Sequence, residues 1–287
     1  MARVEDAARP PLGPLAPSGW RADEAIIAAL GAAGRFLRAG GTLIALLVAW
    51  EIVARSGVVS AFLLPPLSVV LERIWQDALS GDLVTNLGQT LYRTLVGFAI
   101  AGAAGIVLGI LIARNRAARW FFDPIISVAF PMPKIAFLPV FMLWFGLYDF
   151  SKITMVVFNA IFPVVIATIV STQGVEKELL WSARSLGASQ RQLLWEIVLP
   201  AALPQILTGL QVALPVAMIV TIVTEVLMGG PGIGGAMIAA SRFADSPGVF
   251  AGIVEIGVAG LCVVKGMAVA RRYLLLWHQE TLEPTTV

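Results

Sequence analysis

Charge is scarce in this sequence: Asp, Glu, Lys and Arg make up 13% of its 287 residues, about half the share of an ordinary soluble domain. Apolar residues fill 58% instead, more than a soluble core of this size can hide. Histidine and cysteine occur once each, at His278 and Cys262. An internal disulfide is thereby excluded, and a metal centre built on these ligands is not expected. No GxxxxGK[ST] run is present, so the chain has no phosphate loop. The net charge is only +2, and the arginines are scattered among apolar runs, which argues against nucleic acid as a partner. The first 38 residues lack the apolar stretch of a secretory signal. Pro10, Pro11, Pro14 and Pro17 give the residues up to about Trp20 the composition of a disordered tail.

The apolar residues fall into runs long enough to cross a hydrocarbon layer of ~30 Å, which takes about 20 helical residues. Six spans are expected, and the fold class is all-α: Gly41–Ala54, Leu87–Ala113, Phe122–Phe145, Ile153–Ser171, Pro200–Met228 and Phe250–Leu274. The first is short, so its helix is expected to begin in the amphipathic stretch before it. Arg35, Arg38, Arg114, Arg116, Arg119, Lys177, Arg184, Arg191, Arg271 and Arg272 fall on one side of such a layout. Arg55, Arg73, Lys152 and Arg242 fall on the other. That bias predicts both termini and the Glu176–Glu196 segment in the cytoplasm, with Ser56–Asn86 and Gly229–Gly248 outside. Residues 1–38 then form a cytoplasmic tail and juxtamembrane segment, 39–277 the transmembrane domain, and 278–287 a cytoplasmic C-terminal tail.

In the second span Gly97, Ala101, Gly105 and Gly109 recur every four residues, leaving one helix face almost without bulk. It suits close helix packing, or a smooth wall along a solute path. Pro131, Pro133 and Pro139 in the third span remove backbone donors and predict a bent or broken helix. Between the fourth and fifth spans, Leu179, Ala183 and Leu186 share the face of a short helix over Lys177–Leu186. Gly187 stands where a left-handed residue would end it. Ser189 followed by Gln192 matches a capping box that starts the next helix, with Pro200 as the first position of the span. Such a helix is either a docking surface for another protein or an interfacial helix on lipid headgroups.

Glu225 shares a face with Thr221 and Thr224. It either lines a solute path or is a structural carboxylate paired with an arginine or backbone donors, since an ionised group inside a span must face protein or water. Asn159, Gln205, Thr208 and Gln211 carry the same choice between a path and interhelical hydrogen bonds. Lys134 and Lys265 are candidates for an anion-attracting charge, with snorkelling or pairing as the alternative. Gly230, Gly232 and Gly235 spell GxGxxG, but they follow a spanning helix rather than a strand, so a close-packed turn is expected instead of a dinucleotide site.

Ala183, Gly187, Ile197 and Leu199-Pro200 have the spacing of the cytoplasmic EAA signature, and the chain resembles binding-protein-dependent ABC import permeases. The resemblance runs from about Leu63 to Trp277 and is closest to the nitrate, taurine and alkanesulfonate branch. Leu64-Pro65-Pro66, Thr90-Leu91-Tyr92-Arg93-Thr94 with Gly97-Phe98, Asp123-Pro124, and Leu143-Trp144-Phe145-Gly146 with Lys152 carry it. So do Pro200-Ala201-Ala202-Leu203-Pro204 with Gly209, and Glu225 ahead of Gly232-Ile233-Gly234. One departure is that the family's Glu-Ala-Ala opening is Trp181-Ser182-Ala183 here, so a contact through that glutamate is not implied.

The resemblance implies a type I ABC importer permease fold in a bacterial inner membrane, with no catalytic residue, metal or cofactor of its own. Coupling to an ATPase would rest on Glu178, Ser182, Ala183, Arg184, Leu186, Gly187, Ala188 and Ser189, within a loop over about 174–199. The substrate pathway would use Asn159, Thr208, Gln211, Thr221, Thr224 and Glu225. Its expected partners are two copies of a cytoplasmic ATP-binding subunit, an external substrate-binding protein, a second copy of the permease and membrane lipid. A small anion such as nitrate or a sulfonate is the implied cargo. An ion-coupled secondary transporter is the first alternative, although no internal repeat is visible. A membrane-embedded enzyme is the second, although His278 and Cys262 lack catalytic companions in sequence.

Overall fold

A computed structural model describes residues 40–277; the expected tails over 1–38 and 278–287 lie outside them. The described residues fall into two units, 40–61 and 62–277. The first holds helix α1 over residues 40–55, at the place of the first expected span. It is shorter than the about 20 residues that a crossing takes, and its expected earlier start lies outside the described residues.

The second unit is helical throughout: α2 (Leu67–Ser80), α3 (Asp82–Arg114), α4 (Arg116–Ala129), a 3-10 turn (Lys134–Phe137), α5 (Leu138–Phe145), α6 (Asp149–Gln173), α7 (Lys177–Ser185), α8 (Gln190–Gln192), a π-helical stretch (Leu193–Val198), α9 (Leu199–Met228), α10 (Ile233–Arg242) and α11 (Ser246–Leu274). Among the described residues, α3, α6, α9 with its lead-in, and α11 are long and apolar enough to cross a membrane. The pair α4 and α5, bent by 93° at its break, makes a fifth if taken as one span. The expected break in the third span is thus present, at Phe130–Pro133, where Pro131 and Pro133 supply no backbone donor.

Helices α3, α6 and α11 start four or five residues before the apolar runs that announced them, because Asp82, Asp149 and the Ser246-Pro247 pair form helical first turns outside the greasy stretch. Two expectations need correction. Gly229–Gly248 is not only a loop, since α10 occupies its middle. Pro200 does not open a new helix either. It is the second residue of α9, but the chain is already helical from Gln190, and the wide π turns before it take up the mismatch that a proline's missing donor creates.

The core lies between α3, α6 and α9. Gly97, Ala101, Gly105 and Gly109 are buried on α3, and the side chains of α6 fill the space their absent side chains leave. A Cβ added to Gly97 would meet Val156 Cγ1 at 2.6 Å, one on Gly105 would meet Val164 Cβ at 2.8 Å, and one on Gly109 would meet Thr168 Cβ at 2.5 Å. Packing therefore accounts for this small-residue face, which is covered by α6 rather than open to a path.

Candidate functional site

The two ends of α9 carry the two sites that the sequence singled out. At the N-terminal end, α7 ends in a complete Schellman motif: the amide of Ala188 donates to Ala183 O at 3.0 Å and that of Gly187 to Arg184 O at 2.9 Å, with Gly187 at φ +85°. These two bonds satisfy carbonyls that a helix end leaves free. Ser189 then forms the expected capping box. Its Oγ accepts from the amide of Gln192 at 3.3 Å, and its own amide donates to Gln192 Oε1 at 2.9 Å. The side chain of Arg114, at the end of α3, donates to Gln190 Oε1 at 3.2 Å.

Helix α7 is anchored by a side other than the one its pattern suggested. Leu180 packs with Val175, Val198, Ala202 and Ile206, while Leu179, Trp181 and Leu186 are exposed, Leu186 at 88%. Glu178, Ser182, Arg184, Gly187 and Ser189 are exposed as well, and Ala183 and Ala188 are half-buried. The apolar face expected to hold the helix is thus turned away from the protein. The eight residues form one contiguous surface strip of helix and turn.

At the other end, α9 terminates at Gly229, and Gly229, Gly230 and Gly232 adopt φ of +71°, +87° and +123°. This turn is held by buried charge. Arg93 of α3 and Glu225 of α9 are 1% and 0% exposed, and Arg93 Nη1 donates to Glu225 Oε1 at 2.5 Å and to Pro231 O at 2.6 Å. Arg93 Nε also reaches Asp149 Oδ1 at 2.8 Å. The second oxygen of Glu225 accepts from Thr90 Oγ1 at 2.8 Å and from the amide of Gly234 at 3.1 Å. Lys152 Nζ donates to Gly229 O at 2.6 Å, and the amide of Gly232 donates to Asn86 Oδ1 at 3.0 Å. A Cβ on Gly232 would land on the Glu225 carboxylate. The GxGxxG run is therefore a close-packed turn, as expected, with no strand before it.

Thr221, Thr224 and Glu225 come together in this network and are fully buried. Thr94 Oγ1 donates to Thr221 Oγ1 at 3.0 Å, and Thr224 Oγ1 donates to Thr221 O at 2.7 Å. The other pathway candidates lie elsewhere. Thr208 is exposed and bonds back to Pro204 O at 3.1 Å, and Gln211 accepts from Arg271 Nη1 of α11 at 2.8 Å. Asn159 is half-buried on α6 and donates to Met155 O at 2.9 Å. Arg93, Thr90 and Asp149 were not singled out as partners of Glu225. The available signal was an arginine in a span with threonines three residues before it and one after it.

A second polar cluster joins α2 to α11. Arg73 bonds Asp77 at 3.0 Å and also Asp245, whose other oxygen caps Gly248 at 3.1 Å. Burial alone would lower the Arg73 pKa, but the hydrogen bonds and charges of the two carboxylates raise it above its ordinary value. Among the described residues no group of acidic, histidine or cysteine side chains has the arrangement of a metal site.

The bundle of four or five apolar spans, with a surface helix leading into α9, defines the class: an integral membrane protein with the type I ABC importer permease fold. A chain from the crystal structure of a bacterial ABC transporter involved in import of the acidic polysaccharide alginate shares this fold. Its TM-score is 0.60 at 15% identity, over 88% of this chain and 96% of that one. The chain belongs to the family of binding-protein-dependent transport system inner membrane components, whose profile matches residues 105–272.

Its relatives include the taurine transport system permease protein of Escherichia coli (strain K12), 33% identical over 84% of this chain and 89% of that one. A Bacillus subtilis (strain 168) protein designated an aliphatic sulfonates transport permease is 34% identical over 80% and 83%. The formylaminopyrimidine transport permease protein of Halalkalibacterium halodurans is 32% identical over 82% and 93%. The chain is a multi-pass permease of an ABC import system. Membership of the family implies an ATP-binding subunit and a substrate-binding protein as its partners.

Proposed function

We propose that this permease imports a small anion of the nitrate or sulfonate type, delivered by an external binding protein and driven by ATP hydrolysis on two copies of a separate cytoplasmic subunit. The observation that carries the coupling is the α7 strip. It exposes Leu179, Trp181 and Leu186, yet a short capped turn joins it to a helix that runs unbroken from Gln190 into α9, so a force on the strip reaches the spanning helix. Glu178, Ser182, Ala183, Arg184, Leu186, Gly187, Ala188 and Ser189 are the proposed contact residues for the ATPase. That assignment puts this end of the bundle, both termini and the segments 1–38 and 278–287 in the cytoplasm, with 39–277 in the inner membrane of a bacterium.

Two copies of the permease would form the path between them, because five or six helices are few for a conduit within one chain. Asn159, Thr208 and Gln211 are proposed to face it. Thr221, Thr224 and Glu225, which have no exposed surface, support its wall. The relatives named for taurine and aliphatic sulfonates favour an anionic cargo. The test is purification with associated subunits, followed by reconstitution with the binding protein in liposomes. ATP-dependent uptake of taurine or nitrate is expected. Co-purification of no ATPase, with uptake driven by an ion gradient alone, would defeat the proposal.

A further inference from the structure

Two cations inside the spanning helices have their partners within the bundle: Arg93 is bound by Glu225 and Asp149, and Lys152 by the carbonyl of Gly229. Lys134 is different. It follows Pro133 at the break between α4 and α5, and its Nζ donates one hydrogen bond, to Phe130 O at 2.9 Å. That carbonyl is free because the helix stops there. Among the described residues Lys134 has no carboxylate partner, and its ammonium lies 4.7 Å from the ring centre of Phe162 and 5.8 Å from that of Phe130. Two of its three N–H groups are left for something else.

The depth of this ammonium is set by α6. Phe162 is 13 residues from Asp149 and 11 from Gln173 along that helix (162 − 149 and 173 − 162), so about 16–20 Å of helix separates it from either end. A lysine stem of about 6 Å does not span that length, so the half-buried ammonium stays between the two ends of α6. Lys265 is exposed on α11, nine residues from the C-terminal end of that helix (274 − 265). The position of Lys134 is built rather than incidental. Phe137 and Phe141 of the broken segment pack on Phe158 of α6 at 5.8 and 5.6 Å between ring centres, and Phe158 meets Phe162 at 6.2 Å. Asn159 lies one turn from Phe162 on the same helix face, with only its amide nitrogen used. An unpaired charge at this depth is costly unless it meets water or an opposite charge.

We propose that Lys134 is the anion-recognition residue of the translocation path, its free N–H groups taking the sulfonate or nitrate oxygens of the solute as it passes the helix break. Asn159 stands one turn from Phe162 on α6, and the Phe130 and Phe162 rings hold the ammonium in place. The inference rests on the reading of this chain as an anion importer. It adds the group that distinguishes anionic from uncharged cargo.

The complete transporter, reconstituted in liposomes with its ATPase and binding protein, is assayed with taurine, nitrate and formylaminopyrimidine. Lys134→Gln keeps a donor for Phe130 O and loses the charge, so anion uptake should fall about tenfold or more, whereas Lys134→Arg should stay within about threefold of wild type. The chain has one other thiol to remove, Cys262. In a Cys262→Ser background, Lys134→Cys should regain anion uptake after modification with aminoethyl methanethiosulfonate and not with the anionic sulfonatoethyl reagent. This rescue also shows that the variant was folded. Wild-type uptake by Lys134→Gln would reduce Lys134 to a cap on Phe130 and overturn the inference, as would failure of both the arginine variant and the cationic reagent. Wild-type import of formylaminopyrimidine but of neither anion would overturn the inference and leave the ABC permease reading standing. No ATP-dependent uptake of any probe would bring down that reading, and the inference with it.

Discussion

The two glycine turns at the ends of α9 are held in opposite ways. The turn at Gly187 is closed by its own backbone and by the Ser189–Gln192 capping box, no residue of its strip is fully buried, and a Cβ added to Gly187 would meet nothing within 4 Å. The turn at Gly229–Gly235 is closed by side chains from α3, α6 and α9, and a Cβ on Gly232 or Gly235 would strike Glu225 or the carbonyl of Gly230. One turn keeps its outer surface free and the other has used its interior completely. A self-sufficient turn can meet a partner without being remade, whereas the second exists only while the helices around it stay together.

Substitutions that separate local from tertiary closure sharpen this contrast. The largest effect is expected for Glu225→Ala, which leaves Arg93 buried with a partner missing. Thermal unfolding in detergent should show a loss of about 3–5 kcal/mol, and an unchanged transition would mean that the ion pair does not hold the turn. Gly232→Ala adds a methyl where the carboxylate sits and strains a φ of +123°, for an expected loss of about 2–3 kcal/mol in the same measurement. Gly187→Val meets only the left-handed backbone penalty, about 1–2 kcal/mol. Membrane insertion should be unchanged and the global transition should shift less than for Gly232→Ala, while solute-stimulated ATP hydrolysis by the assembled transporter falls. Normal hydrolysis there would break the comparison. Ser189→Ala removes the capping oxygen, and a loss of about 1 kcal/mol confined to the start of α8 should appear as faster amide exchange at Gln192.

What could be read from the sequence divides along the same line. Gly187, Ser189 and Gln192 announced their turn because every bond in it spans a few residues, so local rules suffice. The partner of Glu225 could not be read in this way: Arg93 lies 132 positions away, and only the packing of α3 on α9 brings them together. The sequence allows that carboxylate to pair with an arginine or with backbone donors, and it does both. Helix α10 escaped notice because it is short, follows three glycines and carries no strong apolar periodicity. The face of α7 was recognised as apolar, but nothing local says which way a surface helix turns. Leu180, one position beyond Leu179, decides it by joining Val175 and Val198.

The bare face of α3 also has a mechanical consequence. The side chains of Val156, Val164 and Thr168 sit like teeth in notches at Gly97, Gly105 and Gly109, and Ala167 occupies a further notch at Gly209 on α9. For α3 to slide along α6, every tooth must climb out of its notch at once, and the next register lies four residues, about 6 Å, away. Gradual shear between these helices is therefore blocked at close packing. The three helices move as one block, and any rocking of the permease must pivot at the elements that bound it: the kinked pair α4 and α5, and the wide turns that lead into α9.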